Sequence, residues 1–288
     1  MKQVLHYREY LDLCKPRVVG LIVFTAMIGM ALAPPADFHR WFFASLGIAL
    51  AAAGAAACNC LLERRIDAVM ARTCSRALPQ GRVTSTEALI LALILAVLGL
   101  GLLVHQVNLL SALLTGATYI GYALIYTLLL KPATPQNIVI GGLAGAMPPL
   151  LGWVAMTGEI THQALLLVLI IFAWTPPHFW SLALYHREDY ARAGLPMLPV
   201  THGDDYTRLH ILLYSVLLAA VTALPLAVGM SGPLYGVAAL VLNGLFLRQV
   251  RALYLEASVF QARRTFAWSI RYLGLLFTAL LLDHGVFS

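Results

Sequence analysis

Asn59, Glu63 and Asp67 recur every fourth residue in the stretch Asn59-Cys60-Leu61-Leu62-Glu63-Arg64-Arg65-Ile66-Asp67. On a helix turning about 100° per residue, their side chains fall within about 80° of one another. An amide and two carboxylates on one face can hold a hard divalent cation such as Mg²⁺. That ion takes one or two protein carboxylates, keeps some water and fills its other positions with substrate phosphate. Arg64, Arg65, Arg72 and Arg76 bring fixed positive charge to the same part of the chain, as an anionic phosphate requires. A solvated helix end at a membrane surface would carry the same string.

A second cluster begins at Trp174-Thr175-Pro176-Pro177-His178-Phe179-Trp180, inside an apolar segment. A histidine there is costly unless it faces the interior of a bundle. The plain alternative is a proline kink whose histidine donates to a freed carbonyl. Glu188 and Asp189 follow in His186-Arg187-Glu188-Asp189-Tyr190, and the segment boundaries place them at the same membrane face as Glu63 and Asp67. Lys131 is the only Lys or Arg between residues 83 and 186. It is either a snorkelling anchor or a point charge for phosphate. Gly141 and Gly145 form a G-x-x-x-G pair suited to helix packing.

The elements that position these groups are set by composition. The chain has 288 residues, 60% hydrophobic and 11% charged, more apolar surface than a soluble domain of this size can bury. It is therefore expected to be an all-α, polytopic membrane bundle. Nine apolar segments are read at about 18–34, 41–60, 87–104, 109–130, 137–156, 163–184, 209–229, 234–250 and 268–283. With the N-terminus in the cytoplasm, eighteen of the nineteen Lys and Arg lie on the inside and only Arg40 lies outside. Nine spans then put the C-terminus outside. The net charge of +6 is divided among membrane spans and does not point to nucleic acid. The four cysteines form no disulfide framework, and no cleavable signal peptide is expected.

Two inside connections are long, about 63–86 and 185–208, and are expected to lie over a central cavity. They echo each other 120 residues apart at Arg72/Arg192, Leu78/Leu198 and Pro79/Pro199. A single domain over 1–288, built as an internal repeat (10–130 and 131–250) plus a ninth helix, would account for the echo.

The string Asn59…Glu63…Asp67, the run Arg72-Thr73…Arg76-Ala77-Leu78-Pro79 and Tyr126…Lys131 resemble the intramembrane aromatic prenyltransferase superfamily. Lys15-Pro16-Arg17, Thr134-Pro135-Gln136-Asn137, Gly145-Ala146-Met147-Pro148-Pro149, the Trp174–Trp180 stretch and Asp189-Tyr190…Pro196-Met197-Leu198-Pro199 are more particular. They resemble the branch that prenylates protohaem IX, and the likeness runs over roughly residues 10–280. It implies a Mg²⁺-dependent transferase of the bacterial inner membrane, moving a farnesyl group from farnesyl diphosphate to a vinyl group of haem B. Haem O would be the product, used in maturing haem–copper oxidases, and a downstream haem-modifying enzyme is an expected partner.

By the same likeness Asn59, Glu63, Asp67 and Asp189 would be the metal and catalytic residues. Arg64, Arg72, Arg76 and Lys131 would bind diphosphate, and Trp174, His178 and Trp180 would contact the acceptor. Glu63 stands where the superfamily commonly has Asp, and Ala193 stands where a second acid would complete a D-x-x-x-D with Asp189. Two rival functions stay open: prenylation of a quinone precursor or other aromatic acceptor, and transport or haem carriage. Transport would place ionisable groups near mid-membrane. Here His178 alone sits there, and the acids gather at one face.

Overall fold

A computed structural model describes residues 2–287, and every regular element among them is helical. In lipid a spanning segment must satisfy its own backbone polar groups, and helices do so internally. In chain order the helices are α1 (Lys2–Leu13), α2 (Pro16–Leu32), α3 (Phe38–Val69), α4 (Ser85–Gln106) and α5 (Leu109–Ile120). A π-helix follows at Gly121–Leu130, then α6 (Lys131–Ala133), α7 (Asn137–Ala146), α8 (Pro148–Thr157) and α9 (His162–Tyr185). The rest are α10 (Arg187–Arg192), α11 (Leu198–Thr201), α12 (Asp204–Val221), α13 (Leu224–Ala227), α14 (Pro233–Glu256) and α15 (Val259–Phe287). Eight helical segments among the described residues are long and apolar enough to cross a membrane. Tyr7–Leu13 with α2, bent by 51°, makes a ninth. The expected span count is met in that form.

The chain forms two compact units. The first holds residues up to Ala133 with Met147–Ile160 and Arg192–Leu195; the second holds Thr134–Ala146, Thr161–Ala191 and the chain from Pro196 onward.

In the first unit α3 is the axis. Its 32 residues reach about 48 Å at 1.5 Å per residue, against a hydrocarbon core of about 30 Å. The helix starts at Asp37, whose side chain accepts from the Arg40 N–H. It runs past the apolar stretch because residues 59–69 hold neither Gly nor Pro. Glycines let α4 close on α3 and α8 on α2: a Cβ on Gly99 would lie 2.7 Å from the Gly47 carbonyl oxygen, and one on Gly152 1.9 Å from that of Ala26. Small residues at such crossings permit tight packing where lipid offers no hydrophobic drive. Arg40, the one basic residue expected on the outside, donates to the Met156 carbonyl at 3.1 Å. It thereby answers an unpaired C-terminal carbonyl of α8.

In the second unit α9 is the enclosed helix, packed by α7, α12 and α15. It continues through Pro176 and Pro177 without a break. The tight approach of α7 is made by Gly142, where a Cβ would sit 2.8 Å from Thr175 Cγ2. Gly145 meets nothing within 4 Å, so the expected G-x-x-x-G packing is not what joins these helices. At the far end of α15, Asp283 is buried and accepts from the Gly232 and Tyr235 backbone N–H groups at the start of α14. The expected loop 63–86 is helix as far as Val69, and 185–208 contains α10 and α11.

Candidate functional site

In the first unit the long α3 carries Asn59, Glu63 and Asp67 on one face, as their spacing predicts. None is solvated: they are 2%, 6% and 3% exposed. A solvated helix end is thereby excluded, because a buried charge must be paired. Each oxygen set has a cation. Lys15 Nζ donates to Asn59 Oδ1 at 2.6 Å, Lys131 Nζ to Glu63 Oε1 at 2.5 Å, and Arg76 Nη1 to Asp67 Oδ2 at 2.7 Å. The Asn59 amide uses its other end to donate to Thr127 Oγ1 at 3.0 Å.

The π-helix supplies Thr127, and Lys131 follows directly at its C-terminal cap. Its wider turn shows where the Thr127 hydroxyl donates to the Tyr122 carbonyl at 2.9 Å and where the Lys131 N–H donates to the Tyr126 carbonyl, each five residues back. Thr127 and Lys131, four residues apart, thus meet Asn59 and Glu63, also four apart. Arg76 arrives on the segment after α3, which folds back on the helix end. Thr73 Oγ1 donates to the Asp67 carbonyl at 3.1 Å, and Arg82 pairs with Glu9 at 2.8 Å.

Lys15 comes from the corner between α1 and α2. Its backbone is left-handed, φ 49° and ψ 62°, a conformation that costs an L residue with a Cβ about 1–2 kcal/mol. The following Pro16 also favours extended backbone at this position.

Of the expected diphosphate ligands, Arg76 and Lys131 join this cluster. Arg64 does not: one residue on from Glu63, it turns back and donates to the Leu61 carbonyl at 2.9 Å. Arg72 is exposed on the segment after α3. Lys15 and Thr127 were not among the expected site residues. The trace of Lys15 in the sequence was the Lys15-Pro16-Arg17 string; Thr127 had only its place between Tyr126 and Lys131.

Among the described residues no group of three or more His, Cys, Asp or Glu is placed to hold a metal ion. Two carboxylates and an amide oxygen fit Mg²⁺ all the same, since that ion takes few protein carboxylates and completes its shell with water and phosphate. The cluster sets two carboxylates against three cations and so favours an added anion.

In the second unit His178 is buried between two rings. Trp174 stacks on it at 4.2 Å and 18°, Phe266 at 4.7 Å and 26°. Its Nδ1 lies 2.7 Å from Ser269 Oγ on α15, so its partner is not a carbonyl freed by the prolines. Ser269 spends its one hydroxyl proton on the Phe266 carbonyl at 2.7 Å, and a serine has no second proton to give. His178 Nδ1 must therefore carry the hydrogen, which leaves the lone pair on Nε2. Trp174 is fixed by its own bond, Nε1 to the Ser269 carbonyl at 2.8 Å.

Trp180 does not belong with them. It is fully buried on another flank of α9, edge-on to Tyr214 and His210 of α12. Asp189 is a buried carboxylate 3.5 Å from His186 Nδ1, whereas Glu188 is exposed.

These helices and this cluster are those of an intramembrane prenyltransferase: the chain belongs to the UbiA prenyltransferase family, whose sequence pattern matches residues 22–276. It is 62% identical over 280 residues to a protoheme IX farnesyltransferase of Thiobacillus denitrificans, covering 96% of this chain and 94% of that one. With the protoheme IX farnesyltransferase of Nitrosomonas europaea it shares 55% over 279 residues, again 96% and 94% of the two chains. Solved structures share the fold. A digeranylgeranylglyceryl phosphate synthase superposes with a TM-score of 0.81 at 18% identity, over 97% of this chain and 98% of that one. A UbiA homolog from Archaeoglobus fulgidus bound to DMAPP and Mg²⁺ does so with a TM-score of 0.64 at 16% identity, over 94% and 99%.

Proposed function

We infer that the chain is an integral membrane enzyme that transfers the farnesyl group of farnesyl diphosphate to a vinyl group of protohaem IX, giving haem O and diphosphate. The observation that carries this reading is the 62% identity, over nearly the whole of both chains, to a relative named for that reaction. The buried cluster of the first unit supports it, because an allylic diphosphate needs cations around its leaving group.

Asn59, Glu63 and Asp67 would hold Mg²⁺, an assignment supported by the donor set and by the Mg²⁺-bound homolog from Archaeoglobus fulgidus. When bound, the ion neutralises diphosphate charge as a Lewis acid. Arg76 and Lys131 stabilise the negative charge that builds on the diphosphate as the bond between farnesyl C1 and its oxygen breaks. Apolar helices keep water from the allylic cation. The vinyl group attacks C1 through its terminal carbon and leaves positive charge on the carbon next to the porphyrin. Water adds there and loses a proton, which completes the hydroxyethyl farnesyl side chain.

Trp174 and His178 are proposed acceptor contacts, with Nε2 as the free nitrogen. Arg64, Arg72 and Trp180 receive no contact in this scheme, and for Asp189 a metal role rests on sequence resemblance alone. The distribution of basic residues supports a bacterial inner-membrane topology with the N-terminus in the cytoplasm. The product would pass to an enzyme that further modifies haem.

The test is incubation of the purified protein with farnesyl diphosphate, protohaem and Mg²⁺, reading products by mass. A haem species heavier by one farnesyl and one hydroxyl group is expected. Prenylation of a quinone precursor with protohaem left unchanged would replace the acceptor.

A further inference from the structure

We propose that Lys15 is a diphosphate-binding residue held on Asn59 until the metal and the diphosphate arrive together. The proposal rests on the metal–diphosphate site inferred for Asn59, Glu63 and Asp67.

All three of those side chains are engaged by a cation at 2.5–2.7 Å. A metal ion taking Asn59 Oδ1 must displace the Lys15 ammonium, because one amide oxygen cannot face a divalent ion and a lysine at the same short distance. The displaced ammonium, on a half-buried side chain, is then left beside a divalent cation that repels it. A diphosphate offsets that repulsion by offering the lysine an anionic oxygen. Metal and diphosphate therefore bind with positive coupling, and by linkage each raises the affinity of the other by the same factor.

The backbone adds an independent observation. Lys15 is one of two non-glycine residues with positive φ among the described residues, and it lies where α1 and α2 meet at 51°. A corner built only to turn the chain would be met more cheaply by glycine. The lysine keeps a strained conformation that aims its ammonium at Asn59, and strain of this kind gathers at ligand clamps.

The experiment is calorimetry on the full-length protein in detergent, titrated with Mg²⁺ alone, inorganic pyrophosphate alone, and pyrophosphate in the presence of Mg²⁺. Wild type should bind the pair at least about tenfold more tightly than either component alone. Lys15→Gln keeps a donor to Asn59 but loses the charge; it should lower affinity for the pair by about tenfold or more and reduce the coupling, with its thermal midpoint close to wild type. Lys15→Gly should gain thermal stability from relief of the left-handed backbone while losing affinity just as far. Wild-type affinity for the pair in both variants would overturn the role of Lys15, as would a wild-type protein that binds metal equally well with and without pyrophosphate. A wild-type protein that does not bind the pair at all would instead remove the underlying metal–diphosphate site.

Discussion

At the scale of single residues, the cluster on α3 behaves as a set of paired charges, and substitutions should follow from the pairs. Asp67 is 3% exposed and bound to Arg76 at 2.7 Å. Asp67→Asn removes the charge and keeps the shape, so its stability cost should stay within about 1–3 kcal/mol, below that of breaking a fully buried pair, since Arg76 keeps some exposure. Turnover should fall by at least about a hundredfold if the carboxylate holds the metal; initial rates at saturating farnesyl diphosphate measure this, and full activity would remove Asp67 from the mechanism. In the second unit Ser269 fixes the tautomer of His178. Ser269→Ala frees Nδ1 of its partner and lets the proton move to Nε2, so protohaem affinity should drop several-fold while pyrophosphate binding is unchanged. Ser269→Thr, which keeps the hydroxyl, should restore it. The Soret band of bound haem reads both, and equal spectra in Ser269→Ala and wild type would make His178 a packing residue.

At the scale of elements, the π-helix is the device that could least be expected from the residues in it. Gly121–Leu130 contains ordinary apolar helix formers, yet its i−5 bonds align Thr127 and Lys131 with Asn59 and Glu63. Deleting Leu129, which is 62% exposed, would return this stretch to α spacing. The span of 25 residues Leu109–Ala133 stays long enough to cross after losing one. The variant should fold and insert, but with Thr127 or Lys131 turned away by about 100° its turnover should fall by at least about tenfold. Activity at the wild-type level would show that the π turn has no part in positioning.

For the whole molecule, the 18-to-1 division of basic residues predicts an orientation that any single contact leaves open. With α1 and α2 counted as one span, a reporter active only in the cytoplasm should be silent when fused after Ser288 and active when fused within 70–84, the segment that carries Arg72, Arg76 and Arg82. A strong signal from the C-terminal fusion would mean that one helical segment does not cross the membrane.

The sequence alone determined the helical membrane class, the span count and the one-faced placement of Asn59, Glu63 and Asp67. Each of these rests on local periodicity or on the cost of putting apolar and polar groups in the wrong solvent, both of which are written residue by residue. It also marked Lys131 and Arg76, because a lone basic residue amid apolar spans and an arginine near two acids are unusual in themselves. Only the tertiary structure decided which cations reach which oxygens. Arg64 lies next to Glu63 in the chain yet faces another way on the helix, while Lys15 is 44 residues from Asn59 and bonded to it. The same holds in the second unit, where Trp174 and His178 share a face of α9 and Trp180, two residues on, packs against α12. The tautomer of His178 is set by Ser269, 91 residues away. Such pairings depend on how helices cross and on where a backbone departs from its ordinary turn. Pattern along the chain does not encode them, because many crossings satisfy the same apolar faces.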